Sequence, residues 1–148
     1  SQFIQSGFST QVYYVSHNGF DSHSNQRRSQ DKLLQEYSDA VFSLVQSLRR
    51  SGEFENTLIM TFSEFGRRVK ENGSAGTDHG KANNLFLIGN NLKQAGIYNP
   101  PADLSLLDNG DIKHKIDFRN VYWDIINEWF GKDASKIISK SFNSLDIL

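Results

Sequence analysis

The stretch from Leu34 to Phe62 constrains the fold of this chain more than any other. Leu34, Tyr37, Val41, Leu44 and Leu48 recur at spacings of three and four, so they share one face of a helix. Ser29 is available to cap its start. Arg49 and Arg50 fall in its last turn, where their charge complements the helix dipole, and Gly52 closes it. Directly beyond, Thr57 to Phe62 is apolar almost throughout, which suits a strand buried on both faces of a parallel sheet. A helix feeding such a strand predicts an α/β layer fold.

The rest of the chain extends that expectation. Gln11 to Ser16 is β-branched and aromatic and runs into Asn18-Gly19, so it reads as a strand ending in a loop. We expect it to lie parallel to the strand at 57 to 62, with the helix from about 30 to 51 as the crossover. Residues 63 to 82 are polar and glycine-bearing and read as a long loop, a length that more often signals function. A third strand is expected at Asn84 to Gly89, and turns at Pro100-Pro101 and Asp108-Asn-Gly-Asp111. Asp117 is placed to cap a last helix whose stripe of Phe118, Val121, Tyr122, Ile125, Ile126 and Trp129 reads as core. Gly131 would end it, with a short helix around Ala134 to Ser141 to follow. At 148 residues the chain suffices for one domain. Ser1 to Gly7 reads as the tail of a helix closed by glycine, and the expectation is that residues 1–148 form the C-terminal portion of a larger α/β domain.

Several classes of function are excluded. With no cysteine there is neither a disulfide framework nor a thiolate metal site. The net charge of −1, with both signs mixed along the chain, gives no surface for nucleic acid. No apolar run approaches the roughly 20 residues that span a bilayer.

Three clusters carry possible chemistry. Asp21 and His23, with Gln26 close behind, lie just beyond the first expected strand. Glu64 and Arg67 lie just beyond the second, and Asp78 and His79 lie in the long loop. Open α/β sheets bind ligands at the C-terminal ends of their strands, where these groups would converge. Carboxylate and imidazole are ligand types for zinc and similar divalent ions. Asp21, His23 and His79 would make a three-ligand site with one open position, and Glu64 and Asp78 would serve a second ion. Zinc is the leading cofactor, with Mg, Mn or Ca as alternatives. Arg67 and Gln26 are the candidate substrate-binding side chains. Each motif alone also has an ordinary reading: Asp-x-His as a turn with a solvated histidine, Glu64 as a turn cap, Arg67 with Arg68 as a solvated pair. His17 and His114 read as structural or surface residues.

The run of helix, Ser51-Gly52 and Asn56-Thr-Leu-Ile-Met-Thr-Phe-Ser63 resembles the sulfatase and alkaline phosphatase superfamily, where such a strand ends in Ser-Asp-His-Gly. His79-Gly80 followed by Leu85-Phe-Leu-Ile-Gly89 resembles that superfamily's last metal-binding histidine and next strand, and Ile116 to Gly131 resembles its following helix. More closely, Gly-Phe-Asp-Ser-His-Ser-Asn-Gln, Phe-Ser-Glu-Phe-Gly-Arg-Arg-Val and Thr-Asp-His-Gly resemble a bacterial family, domain of unknown function 1501 (DUF1501). The superfamily resemblance implies a three-layer α/β/α sandwich with a mainly parallel sheet. It also implies a metal-dependent hydrolase of phosphate or sulfate esters with a two-metal site and a Ser, Thr or Cys nucleophile, here in an N-terminal segment outside these residues. By that pattern Asp21, His23 and His79 correspond to metal ligands. Glu64 stands where Asp is usual and Phe65 where His is usual, which removes a ligand. The alternative is a non-catalytic metal-binding or cell-surface relative. The family resemblance implies a periplasmic or secreted protein.

Overall fold

Gln2–Gln5 form one helical turn, α1, and Gly7 follows at φ +71°, the glycine closure its sequence predicts. Residues 8 to 25 run on without regular structure in the computed structural model, which describes all residues 1–148. The striped segment forms a 26-residue helix, α2, Gln26–Ser51. It begins earlier than Ser29 because Asn25 takes the left-handed conformation (φ 44°) and turns the chain straight into the helix. The Ser29 hydroxyl instead donates to the Gln26 carbonyl at 2.9 Å. Gly52, at φ +79°, closes α2 with its N–H on the Arg49 carbonyl.

Four short strands follow: β1 (Ile59–Thr61), β2 (Gly66–Arg67), β3 (His79–Gly80) and β4 (Phe86–Ile88). β1 pairs antiparallel with β4 in the register Ile59↔Ile88, and β2 pairs antiparallel with β3 in the register Gly66↔Gly80. These are two separate two-stranded sheets, not a mainly parallel three-layer α/β/α sandwich. The expected parallel pairing of residues 11–16 with 57–62 is absent. Val12, Tyr13, Tyr14 and Val15 have strand-forming side chains, but all are exposed and their backbone joins no ladder. β propensity marks what fits a half-buried pleated surface, and it forms a strand only where a partner edge exists. Ile59, Met60 and Thr61 are only half-buried, so β1 is not the doubly covered strand its apolar run predicts. A hydrogen bond of 2.9 Å between Tyr37 Oη and Thr61 Oγ1 fixes α2 against β1.

The 108–111 turn forms as expected, with Asn109 and Gly110 at positive φ between the bridged Asp108 and Asp111. Asp117 accepts the Arg119 N–H at 2.9 Å and caps the last helix, α3 (Phe118–Asp124), which widens into a π-type turn over Ile125–Trp129. The apolar stripe here is not all core. Val121 is buried, but Phe118 is 57% exposed. Ala134–Lys136 make a 3₁₀ turn in place of the expected short helix. Buried apolar side chains are few: Leu48, Phe54, Val121, Ala134 and Ile147. The accessible surface of 10702 Å² exceeds the roughly 7,700 Å² expected of a folded monomer of this mass. The backbone therefore rests heavily on local hydrogen bonds and loop docking, and that docking builds the site.

Candidate metal centre

The loop from 72 to 78 lies against the start of α2. Asn25 N–H and Gln26 N–H donate to the Ser74 and Ala75 carbonyls, both at 2.9 Å. The Asn72 amide donates to the His23 carbonyl at 3.0 Å. Gly76 makes this approach possible, since a Cβ there would meet the His23 carbonyl oxygen at 2.4 Å. Arg67, on β2, joins the two loops. Its guanidinium donates to the Thr77 carbonyl at 2.6 Å and to the Phe20 carbonyl. Gln26 is buried and its Oε1 accepts the Thr77 hydroxyl at 2.8 Å. Both expected substrate-binding side chains are thus engaged in holding the loops together.

This docking brings Asp21, His23 and His79 together. One carboxylate oxygen, Asp21 Oδ1, lies 3.0 Å from His23 Nε2 and 2.8 Å from His79 Nε2. The His79 hydrogen bond, followed by that of His23, outweighs desolvation and holds the Asp21 carboxyl below its usual range. The three groups each offer a ligand atom, and these atoms all lie within 4.8 Å of one another. Tetrahedral zinc with bonds near 2.0–2.1 Å sets its ligand atoms roughly 3.3 Å apart, so the two imidazole nitrogens and the carboxylate oxygen have the chemistry of a zinc set and would have to draw closer to hold the ion. All three residues are exposed, which leaves the open side to solvent.

Asp78 faces the other nitrogen of His23, with Oδ1 3.6 Å from Nδ1. Asn72 donates to that carboxylate at 3.2 Å and, as the largest influence, holds its pKa below the usual value. A carboxylate facing the far nitrogen of a ligating histidine orients the ring and fixes its tautomer. Glu64 is exposed and makes no hydrogen bond or ion pair, and it lies outside the cluster. His17 is 3.9 Å from Glu36 and edge-on to Phe20, away from the site.

Two contributors are not evident from motif reading. Asn72 bridges the His23 carbonyl and Asp78, and also accepts the Ser74 and Gly76 N–H groups. Phe65, which the sequence presents only as a lost ligand, stacks on His79 with ring centroids 3.8 Å apart and planes 7° apart. The sequence signal for this arrangement is the series Gly66, Gly76 and Gly80, each of which admits a backbone approach that a side chain would block.

Residues 6–138 match a family described as "Protein of unknown function (DUF1501)". No curated protein and no solved structure matches the chain. No helix is long and apolar enough to cross a membrane.

Proposed function

We propose that this chain, which belongs to the DUF1501 family, binds a divalent cation through Asp21, His23 and His79 and serves a metal-dependent hydrolase of phosphate or sulfate esters. The observation that carries this reading is the three donor atoms within 4.8 Å of one another, drawn from a loop and from β3, 58 residues apart in sequence at Asp21 and His79. Zinc suits two imidazoles and a carboxylate best, with Mg, Mn and Ca as the harder alternatives. A bound divalent ion supplies Lewis-acid polarisation of an ester oxygen. The chain's own residues do the rest: Asp78 orients His23, while Arg67 and Gln26 keep the two loops in register.

The link to sulfatases and alkaline phosphatases rests on the sequence resemblance of the 33–63 and 79–96 segments and not on sheet topology. The same resemblance assigns the nucleophile to a segment N-terminal to these residues and implies export to the periplasm or beyond. A second reading, metal binding without catalysis, draws support from Glu64 and Phe65. Neither offers a ligand atom to the cluster, so a second ion has only Asp78 nearby. Metal analysis of the intact protein, together with turnover of chromogenic phosphate and sulfate esters, separates the readings. Tight metal binding without ester turnover would favour the binding role, and no metal binding would remove both.

A further inference from the structure

We propose that Phe65 is a positioning residue, a stacking platform that fixes the plane of the His79 imidazole and thereby aims Nε2 at the cation. The inference rests on the metal-binding reading of Asp21, His23 and His79.

The geometry is specific. The Phe65 and His79 rings are nearly parallel, 7° apart, with centroids 3.8 Å apart, while His79 Nε2 meets Asp21 Oδ1 at 2.8 Å. A ligating nitrogen presents its lone pair in the ring plane, so whatever fixes the plane fixes the ligand direction. The platform is itself fixed. The Phe65 carbonyl accepts from the Asn83 amide at 2.6 Å and from the Ser63 hydroxyl at 3.1 Å. The Arg67 guanidinium, already bound to the two loop carbonyls, lies 5.0 Å from the Phe65 ring centroid. Phe65 therefore supports the ligand beside it while supplying none itself.

The test is a zinc titration of the intact chain and of Phe65→Leu and Phe65→Tyr, with NMR of the His79 ring protons in the metal-free proteins. The stack predicts His79 ring protons shifted upfield in the wild type and in Phe65→Tyr, and returned downfield in Phe65→Leu. It predicts zinc affinity retained in Phe65→Tyr and weakened about 10–100-fold in Phe65→Leu, the usual loss when a supporting partner of a ligand is removed. A merely space-filling Phe65 would leave affinity intact in the leucine variant, and that result overturns the proposal. Absence of the upfield shift in the wild type also overturns it. A wild type that shows the shift but binds no zinc defeats the metal reading, and with it the role assigned to the platform.

Discussion

A single methyl group at Gly66 tests how the site is assembled. Gly66 sits opposite Gly80 in the β2–β3 ladder, one residue from the Arg67↔His79 pair. Its φ lies outside the left-handed region, so alanine meets no conformational penalty and the effect is steric alone. A Cβ at this position would lie 1.7 Å from the Ala82 carbonyl oxygen and 2.5 Å from its carbon. Backbone cannot rotate away as a side-chain tip can. The Ala82 backbone, two residues beyond β3, must move by at least 1.3 Å, the difference between 1.7 Å and the 3.0 Å that real Cβ atoms respect. Functional geometry tolerates only about 0.5 Å, so His79 leaves its place beside Asp21. Forced overpacking of this kind costs about 1–3 kcal/mol of stability. Gly66→Ala should therefore lower the melting temperature and weaken zinc affinity by at least tenfold, in the range seen when ligand support is lost. Gly73→Ala is the matched control: it lies in the same loop region, meets nothing within 4 Å and has no positive φ. It should bind as the wild type does and melt no lower. Calorimetric titration and thermal unfolding read both. If Gly66→Ala bound zinc with wild-type affinity and melted with the wild type, the β2–β3 approach would not be what positions His79.

Three further outcomes follow from other parts of the molecule. Leu48 is fully buried among few buried apolar residues, so Leu48→Ala should cost about 2–5 kcal/mol in denaturant or thermal unfolding. Asp117 caps α3, and the Arg119 guanidinium beside it holds its pKa down to about 2, so Asp117→Ala should cost about 1 kcal/mol near neutral pH. Because the folded pKa is depressed, that difference is complete above the unfolded value of about 3.9 and is lost as pH falls through about 2; unfolding of both proteins between pH 5 and pH 2 reads it. His23→Ala and His79→Ala should each abolish tight zinc binding, whereas His17→Ala and His114→Ala should leave it intact, and equal losses in all four would refute the ligand assignment.

Local structure was legible in the sequence wherever a residue acts on its own neighbours. The α2 helix, the Gly52 stop, the Asp117 cap and the 108–111 turn are all set by contacts within a few residues, although Leu34 of the α2 stripe is exposed. Strand pairing was not, because the run 57–62 is equally apolar whichever edge it meets, and β1 meets β4 antiparallel. Asp21, His23 and His79 lie close together in space, as the sequence leads one to expect, but for a reason that the fold replaces. They do not sit at the ends of parallel strands. They meet because the 72–78 loop docks on the start of α2, through Asn72, Gly76 and Arg67. Those contacts join residues about fifty positions apart through backbone carbonyls, and a carbonyl leaves no mark on the side-chain pattern. Glu64 enters the expected set through its place after a strand, yet β1 ends at Thr61 and Glu64 is not among the three clustered donors.

The most direct test of the central claim is a calorimetric zinc titration of the metal-free intact protein, set beside the same titration of Asp21→Ala. Asp21 Oδ1 is the atom that both histidines face, so its loss should open the cluster and not merely trim it. The account predicts saturable binding at the Asp21–His23–His79 cluster in the wild type and its loss in Asp21→Ala with little change in melting temperature, since Asp21 is exposed. Zinc binding of equal affinity in both proteins, or none in the wild type, would contradict it.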